Sequence, residues 1–329
     1  MKAITYATLG AAADVLVCED VATVEPAASE VRVALSFSGV NPSDVKSRQG
    51  RPGMTAPAFP KIIPHSDGSG VIEAVGAGVD RARVGQRVWI WNGQWQRPFG
   101  TAAEAITLPA EMAVPLPDDV SLETGAILGI PGLTAAEAVF GGGDVAGQTV
   151  LVSGGAGTVG FLAVQLAKWA GAKVIATSSP RDMDWVRAAG ADAVLDYRSS
   201  DLAAEILAAN ADALIPTIIE VEFGRNIDTN AAVIAPNGRL AAFGSAQDMT
   251  PTLPFFQLLF KAVTIDILLI YLLTLSRRLE RSAQLHDALS AGALTCPLAG
   301  VFPLHNAIAA HEAVEAGGRD GAVLLDCRA

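Results

Sequence analysis

Two hydrophobic periods divide this chain. Val31, Val33, Leu35 and Phe37 alternate with Arg32, Ala34 and Ser36, the period of a strand with one buried face. Apolar residues 71–75 run into Gly76-Ala77-Gly78, a strand closed by a glycine turn, and residues 84–91 predict a further strand after Gly85. Pro52, Pro57, Pro60 and Pro64 mark a long loop between them. The first third is therefore expected to be β-rich. From about Leu122 the pattern changes. Short apolar runs at 150–152, 173–177, 193–195, 213–219 and 239–243 predict strands, and residues 159–170, 182–189 and 202–209 predict helices between them. A turn is expected at Pro236-Asn237-Gly238. Strands alternating with helices define an α/β doubly wound parallel sheet. A helix at 276–291, a strand at 300–303, a helix at 306–316 and a strand at 322–326 complete the reading.

Composition narrows the function classes. The formal net charge is −11, which repels phosphate backbones and anionic lipid, so neither nucleic acid nor a membrane surface is an expected partner. Cys18, Cys296 and Cys327 are few, odd in number and far apart, which fits a reducing cytoplasm and no disulfide framework. The first ten residues lack the pattern of a signal peptide. The most apolar stretch, 253–275, is interrupted by Lys261 and Asp266. Its longest clean piece, 267–273, falls short of the ~20 residues that span a bilayer, so a buried or interface strand is expected there.

The most informative motif follows the run at 150–152. Gly155, Gly157 and Gly160, with Thr158 and Val159 between the last two, fit G-x-G-x-x-G between a strand and a helix, with a second strand at the expected distance. Glycine permits a tight turn and close backbone approach to a pyrophosphate, and the helix start supplies N–H groups and a positive dipole end. An NAD site usually carries an acid at the end of the second strand, to bind the ribose diol. Here that strand runs into Ser178, Ser179, Pro180 and Arg181, hydroxyls and a cation that suit a 2′-phosphate, so NADPH is the expected cofactor. Asp182 either faces the same site or starts the following helix, where an acid is favoured.

The order of a β-rich first third, a Rossmann unit and a closing segment resembles the medium-chain dehydrogenase/reductase superfamily, and within it the zeta-crystallin-type quinone oxidoreductases. The resemblance covers nearly the whole chain. It rests on the stretch from Gly39 through Asn41, Pro42 and Asp44 to Gly50, and on Pro64-His65-Ser66-Asp67-Gly68-Ser69-Gly70. Gly85-Gln86-Arg87-Val88, Gly132-Leu133-Thr134-Ala135, the glycine loop and Phe243-Gly244-Ser245 add to it. In the zinc alcohol dehydrogenases of that superfamily a Cys matches Asn41 and a His matches Ser66. Neither replacement is a competent ligand, and no Cys lies between Cys18 and Cys296 to build a structural zinc lobe, so no metal is expected. Without a Lewis acid, an already electrophilic quinone or enone is an easier target than an unactivated alcohol.

The resemblance implies roles for further residues. Asn41 and Asp44 belong to the floor of the cleft, where Asn41 bonds the nicotinamide side or a substrate oxygen. Lys46 is a donor to a developing oxyanion or simply solvated, and Arg48 braces the loop. His65 stands where the family usually has Gly. It is read either as a proton donor or substrate-shaping residue, or as a loop histidine bonded to backbone. His286, His305 and His311 are expected at the surface or in packing. Thr134 resembles the threonine beside the nicotinamide. Tyr197 resembles the tyrosine near the adenosine phosphate, with ordinary packing as its alternative. Trp89, Trp91 and Trp95 either narrow the cleft or pack. The family's basic contact near the carboxyl terminus reads Gly321-Ala322, leaving Arg319 as the nearby cation.

The expected architecture is a GroES-like catalytic domain at 1–121, a Rossmann NADP-binding domain at 122–262, and a segment at 263–329 that straddles both. By the same resemblance, residues 263–273 are expected to form a sheet-edge strand that pairs two subunits, and a homodimer would cover a long apolar edge that otherwise invites aggregation. The expected reaction is zinc-independent hydride transfer from NADPH to a quinone. The alternatives are an enone or alkenal (C=C) reductase, an NADPH-binding sensor or structural protein with little catalysis and, more remotely, a zinc alcohol dehydrogenase.

Overall fold

The alternation beginning at Val31 becomes the longest strand of the first unit, Glu30–Val40, whose first half buries every second side chain. The structure is a computed structural model that describes residues 1–51 and 53–329; of the loop prolines, Pro52 lies outside the described residues. Two compact units form. One comprises Met1–Ile130 and Cys296–Ala329, the other Pro131–Thr295.

In the first unit seven strands build a sheet in the order Leu298–Pro303, Ala322–Asp326, Glu30–Val40, Asp67–Val75, Arg87–Ile90 and Ala113–Pro115, with Ala105–Pro109 also paired to Glu30–Val40. Pairing is antiparallel except between Leu298–Pro303 and Ala322–Asp326. The inward faces of Val31, Val33, Ile72, Val88, Ile106 and Leu325 meet in one core. Trp89 and Trp91 are buried as well, so both pack in the unit.

The second unit is the predicted doubly wound domain. Its six strands are all parallel, in the order Ala193–Asp196, Lys173–Ser178, Thr149–Val152, Ile215–Glu220, Ile234–Ala242 and Thr264–Ile267. Leu151, Ile175, Ile218, Val233 and Leu240 fill part of its core. Buried Glu137 accepts from Arg281 at 2.9 Å and from Arg277, tying the helix Leu133–Phe140 to the helix Leu275–Ser290. A buried carboxylate is tolerable because cations and hydrogen bonds satisfy it.

Several expectations need correction. Pro236-Asn237-Gly238 is no turn between elements but an irregularity inside the strand Ile234–Ala242. Asn237 has φ +59°, and the pairing shifts register between Ile215 and Thr217. Proline has no N–H to pair, and a bulge absorbs it. The strand expected at 263–273 stops at Ile267, and Ile270–Leu272 is a 3-10 turn. Its partner ends at Ala242, whose carbonyl accepts the last bond from the Leu268 N–H, so no ladder remains. The helices Phe223–Val233 and Phe255–Phe260 were not predicted. The units divide at 130 and 295, not at 121 and 262. The helix Leu122–Ile127 packs on the catalytic-unit strand Asp67–Val75, and a Cβ on Gly125 would lie 3.1 Å from that of Ser69. The edge strand extends the cofactor sheet as expected, but the helix Leu275–Ser290 also belongs to the cofactor unit and not to the catalytic one.

Candidate active site

The glycine loop turns out of Val152 into the helix Thr158–Trp169. The left-handed residue is Gly154, with φ +69°, one position before the motif. The motif glycines divide the remaining work. A Cβ on Gly155 would lie 2.9 Å from Val186, and one on Gly160 would lie 2.2 Å from the Gly154 carbonyl, so these two permit close packing. At Gly157 nothing but the Gly154 oxygen lies within 4 Å, at 3.6 Å, and no side chain caps the helix. A helix start, whose first N–H groups have no carbonyl partner within the helix, beside a space that a Cβ would enter, fits a pyrophosphate.

At the end of Lys173–Ser178, Ser178 is buried and donates to the Ser179 carbonyl at 3.0 Å. Ser179 donates to Asp182 at 2.7 Å, and Arg181 pairs with the same carboxylate at 2.6 Å. Burial works against its ionisation, but Ser179 and Arg181 hold Asp182 below the ordinary range. Asp182 therefore both starts the helix Met183–Ala188 and engages the predicted phosphate cation. Arg181 keeps a side chain 61% exposed. The Tyr197 N–H donates to Ser178 O at 3.2 Å, and its ring is 41% exposed between the guanidinium groups of Arg198 and Arg225, at 5.6 and 5.9 Å from its centroid. These three residues line a cavity of about 450 Å³ whose walls include the starts of the helices Leu202–Ala209 and Phe223–Val233. Sequence reasoning missed both arginines, since Arg225 reaches Tyr197 only through the fold.

Phe243, Gly244 and Ser245 follow the strand Ile234–Ala242. The Phe223 N–H donates to Gly244 O at 2.9 Å, and the Ser245 hydroxyl accepts from the Gly224 N–H at 2.8 Å. Thr134 is buried in the helix Leu133–Phe140. The buried Glu220 carboxylate accepts from Ser153, Glu222 N–H, Asn226 and Asn230, within 2.6–3.0 Å, and joins the glycine strand to the helix Phe223–Val233.

In the catalytic unit, Asn41 precedes the helix Pro42–Gln49, and its N–H donates to Asp44 at 2.8 Å. This is the reciprocal half of a capping box. The Asn41 amide donates to Asp67 at 2.8 Å. Both carboxyls are buried. Burial pushes Asp44 up to about 7, against the bonds from Asn41. Burial, and then the Asp44 charge, push Asp67 well above the carboxylate range. Asp67 was not assigned a role from the sequence, although it follows the lost zinc-ligand position. The side chain fits there because Gly129 has none: a Cβ would lie 2.4 Å from the Asp67 carboxyl. Lys46 is exposed, and Arg48 is fully buried, bonded to Gly10 O, Glu315 and His311. Arg48 thus braces the loop as expected.

His65 differs from both readings. It is fully buried, with φ +75°, and bonds side chains of Ser38 and His311 rather than backbone. His311 is a core polar residue; His305 is exposed and His286 half-buried. Arg319 donates to Val314 O. Cys18, Cys296 and Cys327 are free thiols. Among the described residues no group of three or more His, Cys, Asp or Glu side chains is placed to hold a metal, and Asn41 and Ser66 stand at the two ligand positions. The residues do not fit a zinc centre.

A parallel sheet with a pyrophosphate-fitting loop in one unit, and a buried Asp44–Asn41–Asp67 constellation in a β-rich other unit, define a dinucleotide-dependent oxidoreductase of the medium-chain type. Residues 27–118 match the alcohol dehydrogenase GroES-like domain, and residues 158–285 match the model described as zinc-binding dehydrogenase. A quinone oxidoreductase of Pseudomonas aeruginosa is 33% identical over 74% of each chain. A 2-haloacrylate reductase of a Burkholderia species is 28% identical over 95% of each. A mycobacterial structure complexed with NADPH superposes with a TM-score of 0.86 at 30% identity over 99% of each chain. The chain belongs to the zinc-free quinone oxidoreductase family of the medium-chain dehydrogenase/reductase superfamily.

Proposed function

We propose that this enzyme is an NADPH-dependent, zinc-independent reductase of quinones. The observation that carries the cofactor half is the open, uncapped helix start at Gly157. NADPH is favoured over NADH because Ser178 and Ser179 occupy the end of the second strand, with Arg181, Arg198 and Arg225 as cations for a 2′-phosphate. The NADPH-bound mycobacterial relative supports this choice. Thr134, Phe243, Gly244 and Ser245 are assigned to the cofactor side. Bound there, the cofactor supplies a hydride.

The acceptor side is assigned to Asn41, Asp44 and Lys46. Asp67 holds the Asn41 amide, so that amide is preorganised to bond an acceptor oxygen without reorganising as charge develops. Lys46 is exposed and available as a cation for the same charge. His65 is withdrawn as a proton donor, because its ring nitrogens are engaged inside the unit. Solvent is the proposed proton source. Quinones are favoured by the names of the curated relatives. Reduction of an activated C=C is the second reading, favoured by the 2-haloacrylate reductase that matches along 95% of the chain.

A homodimer is proposed through the edge strand Thr264–Ile267. Around it Phe256, Phe260, Ile267 and Leu272 are exposed apolar side chains, more than a lone surface would carry. No helix among the described residues is long and apolar enough to cross a membrane. Free thiols fit the proposed cytoplasmic setting. NADPH and NADH oxidation, measured against panels of quinones and enones, tests the proposal. Quinone turnover with NADPH supports it. C=C reduction without quinone turnover transfers support to the second reading, and tight NADPH binding with no turnover indicates a sensor.

A further inference from the structure

A chain of buried polar groups runs through the catalytic unit, and its hydrogen-bond directions follow one from the next. A guanidinium only donates. Arg48 Nε lies 3.4 Å from His311 Nδ1, so that nitrogen accepts, and the proton of a neutral His311 sits on Nε2. His311 Nε2 is 2.9 Å from His65 Nε2, which must then accept, leaving the His65 proton on Nδ1. His65 Nδ1 is 2.9 Å from Ser38 Oγ. Ser38, accepting there, donates to Thr101 Oγ1 at 2.8 Å, and Thr101 donates to the Asp67 backbone carbonyl. Protonating either ring would set two donors face to face or set a cation against Arg48. Burial, followed by the neighbouring His311, accordingly lowers His65, and burial followed by Arg48 brings His311 down to about 3.

The chain starts at a fixed charge, since Arg48 also pairs with Glu315, and it ends on the residue that holds Asn41. His65 occupies a left-handed backbone position, φ +75°, which a side chain rarely adopts and which persists only where its surroundings over-determine it.

We propose that His65 and His311 are positioning residues: they carry a one-directional hydrogen-bond chain from Arg48 to the Asp67 carbonyl, and so fix the carboxyl that orients Asn41. The positioning role rests on the function proposed above; the direction of the chain does not.

The first test is long-range ¹H–¹⁵N correlation on the intact, ¹⁵N-histidine-labelled protein. Its four histidines are assigned with the aid of His286→Gln and His305→Gln. The expected result is an Nδ1–H tautomer for His65 and an Nε2–H tautomer for His311, both neutral from about pH 5 to 8. An Nε2–H tautomer at His65, or a ring that protonates in that range, overturns the chain whether or not the protein reduces quinones. The second test compares Thr101→Val, which keeps shape and removes the hydroxyl, with Thr101→Ser, which keeps the hydroxyl. The Val variant is expected to lose about tenfold or more in turnover with NADPH affinity unchanged and the His65 signals shifted, and the Ser variant to restore both. A folded Val variant with full turnover overturns the positioning role. In the Val variant, shifted His65 signals with turnover unchanged would show that Thr101 is coupled to His65 and overturn the link to Asn41.

Discussion

Asn41 shows how much one side chain is asked to do. Its N–H caps with Asp44 and its amide is tied to Asp67, so it is held from two directions. Replacing it with Ala is expected to lower turnover by about 10²-fold, the scale of losing a preorganised donor, while leaving NADPH affinity near wild type. Equal loss in NADPH affinity, measured by calorimetry, would place Asn41 in cofactor binding instead. Asp44 gives a stability prediction. Its folded pKa is raised, to about 7 from 3.8, so the folded state holds the proton more tightly. Its contribution is complete below the unfolded pKa and is lost as pH rises towards 7. His311 works in the opposite sense. Its folded pKa is depressed, to about 3 from 6.5, so stability is lost as pH falls from 6.5 towards 3. Asp44→Asn keeps the shape and the acceptor. Denaturant unfolding should show it gaining on wild type between pH 5 and 8, by roughly 1–3 kcal/mol. A gain that does not grow with pH contradicts the assignment.

The residue scale is also where the sequence was hardest to read. Asn41, Asp44 and Arg48 drew notice through the family resemblance, which rests on one short continuous stretch, and the structure puts all three in or beside the helix Pro42–Gln49. His65 was not, because its partners Ser38 and His311 lie 27 and 246 positions away. A lone histidine in a proline-rich loop carries no local sign of burial. Asp67 was hidden for the same reason: its partners Asn41 and Gly129 come from other parts of the unit.

The glycine loop is the clearest case at the scale of the element. The motif predicted a strand, a turn and a helix, and the helix Thr158–Trp169 starts within one residue of its expected place. The left-handed φ fell to Gly154, outside the motif. Spacing encodes the ligand's geometry, whereas the backbone places its strain wherever a glycine permits. The structure also separates two roles that the motif gives alike. Gly157→Ala enters open space at φ −70°, so its melting should be unchanged while NADPH binding weakens by about tenfold or more. Gly160→Ala meets the Gly154 carbonyl and should lose roughly 1–3 kcal/mol of stability. Calorimetric binding beside thermal melting distinguishes them; equal behaviour of the two variants contradicts the division of roles. The strands at 150–152 and 322–326 were legible from apolar runs. The length of the edge strand was not, because it depends on where its partner ends.

At the scale of the whole molecule, the α/β class and the two-unit plan followed from the switch of period near Leu122. The boundaries did not, because the helix Leu122–Ile127 looks like a domain start but packs on the catalytic sheet. The apolar edge around Thr264–Ile267 carries the assembly prediction. Ile267 is 73% exposed, and Ile267→Lys should convert a dimer to a monomer in sedimentation without altering the fold. A wild-type protein that sediments as a monomer at micromolar concentration would contradict the proposed interface.

Metal-free hydride transfer from NADPH to a quinone is the reaction proposed for this family member. It is tested most directly by NADPH oxidation with quinone acceptors, measured on protein stripped by a strong chelator. Full activity after stripping, no gain on adding zinc, and a preference for NADPH over NADH are expected. Activity that vanishes with the chelator and returns with zinc would contradict it.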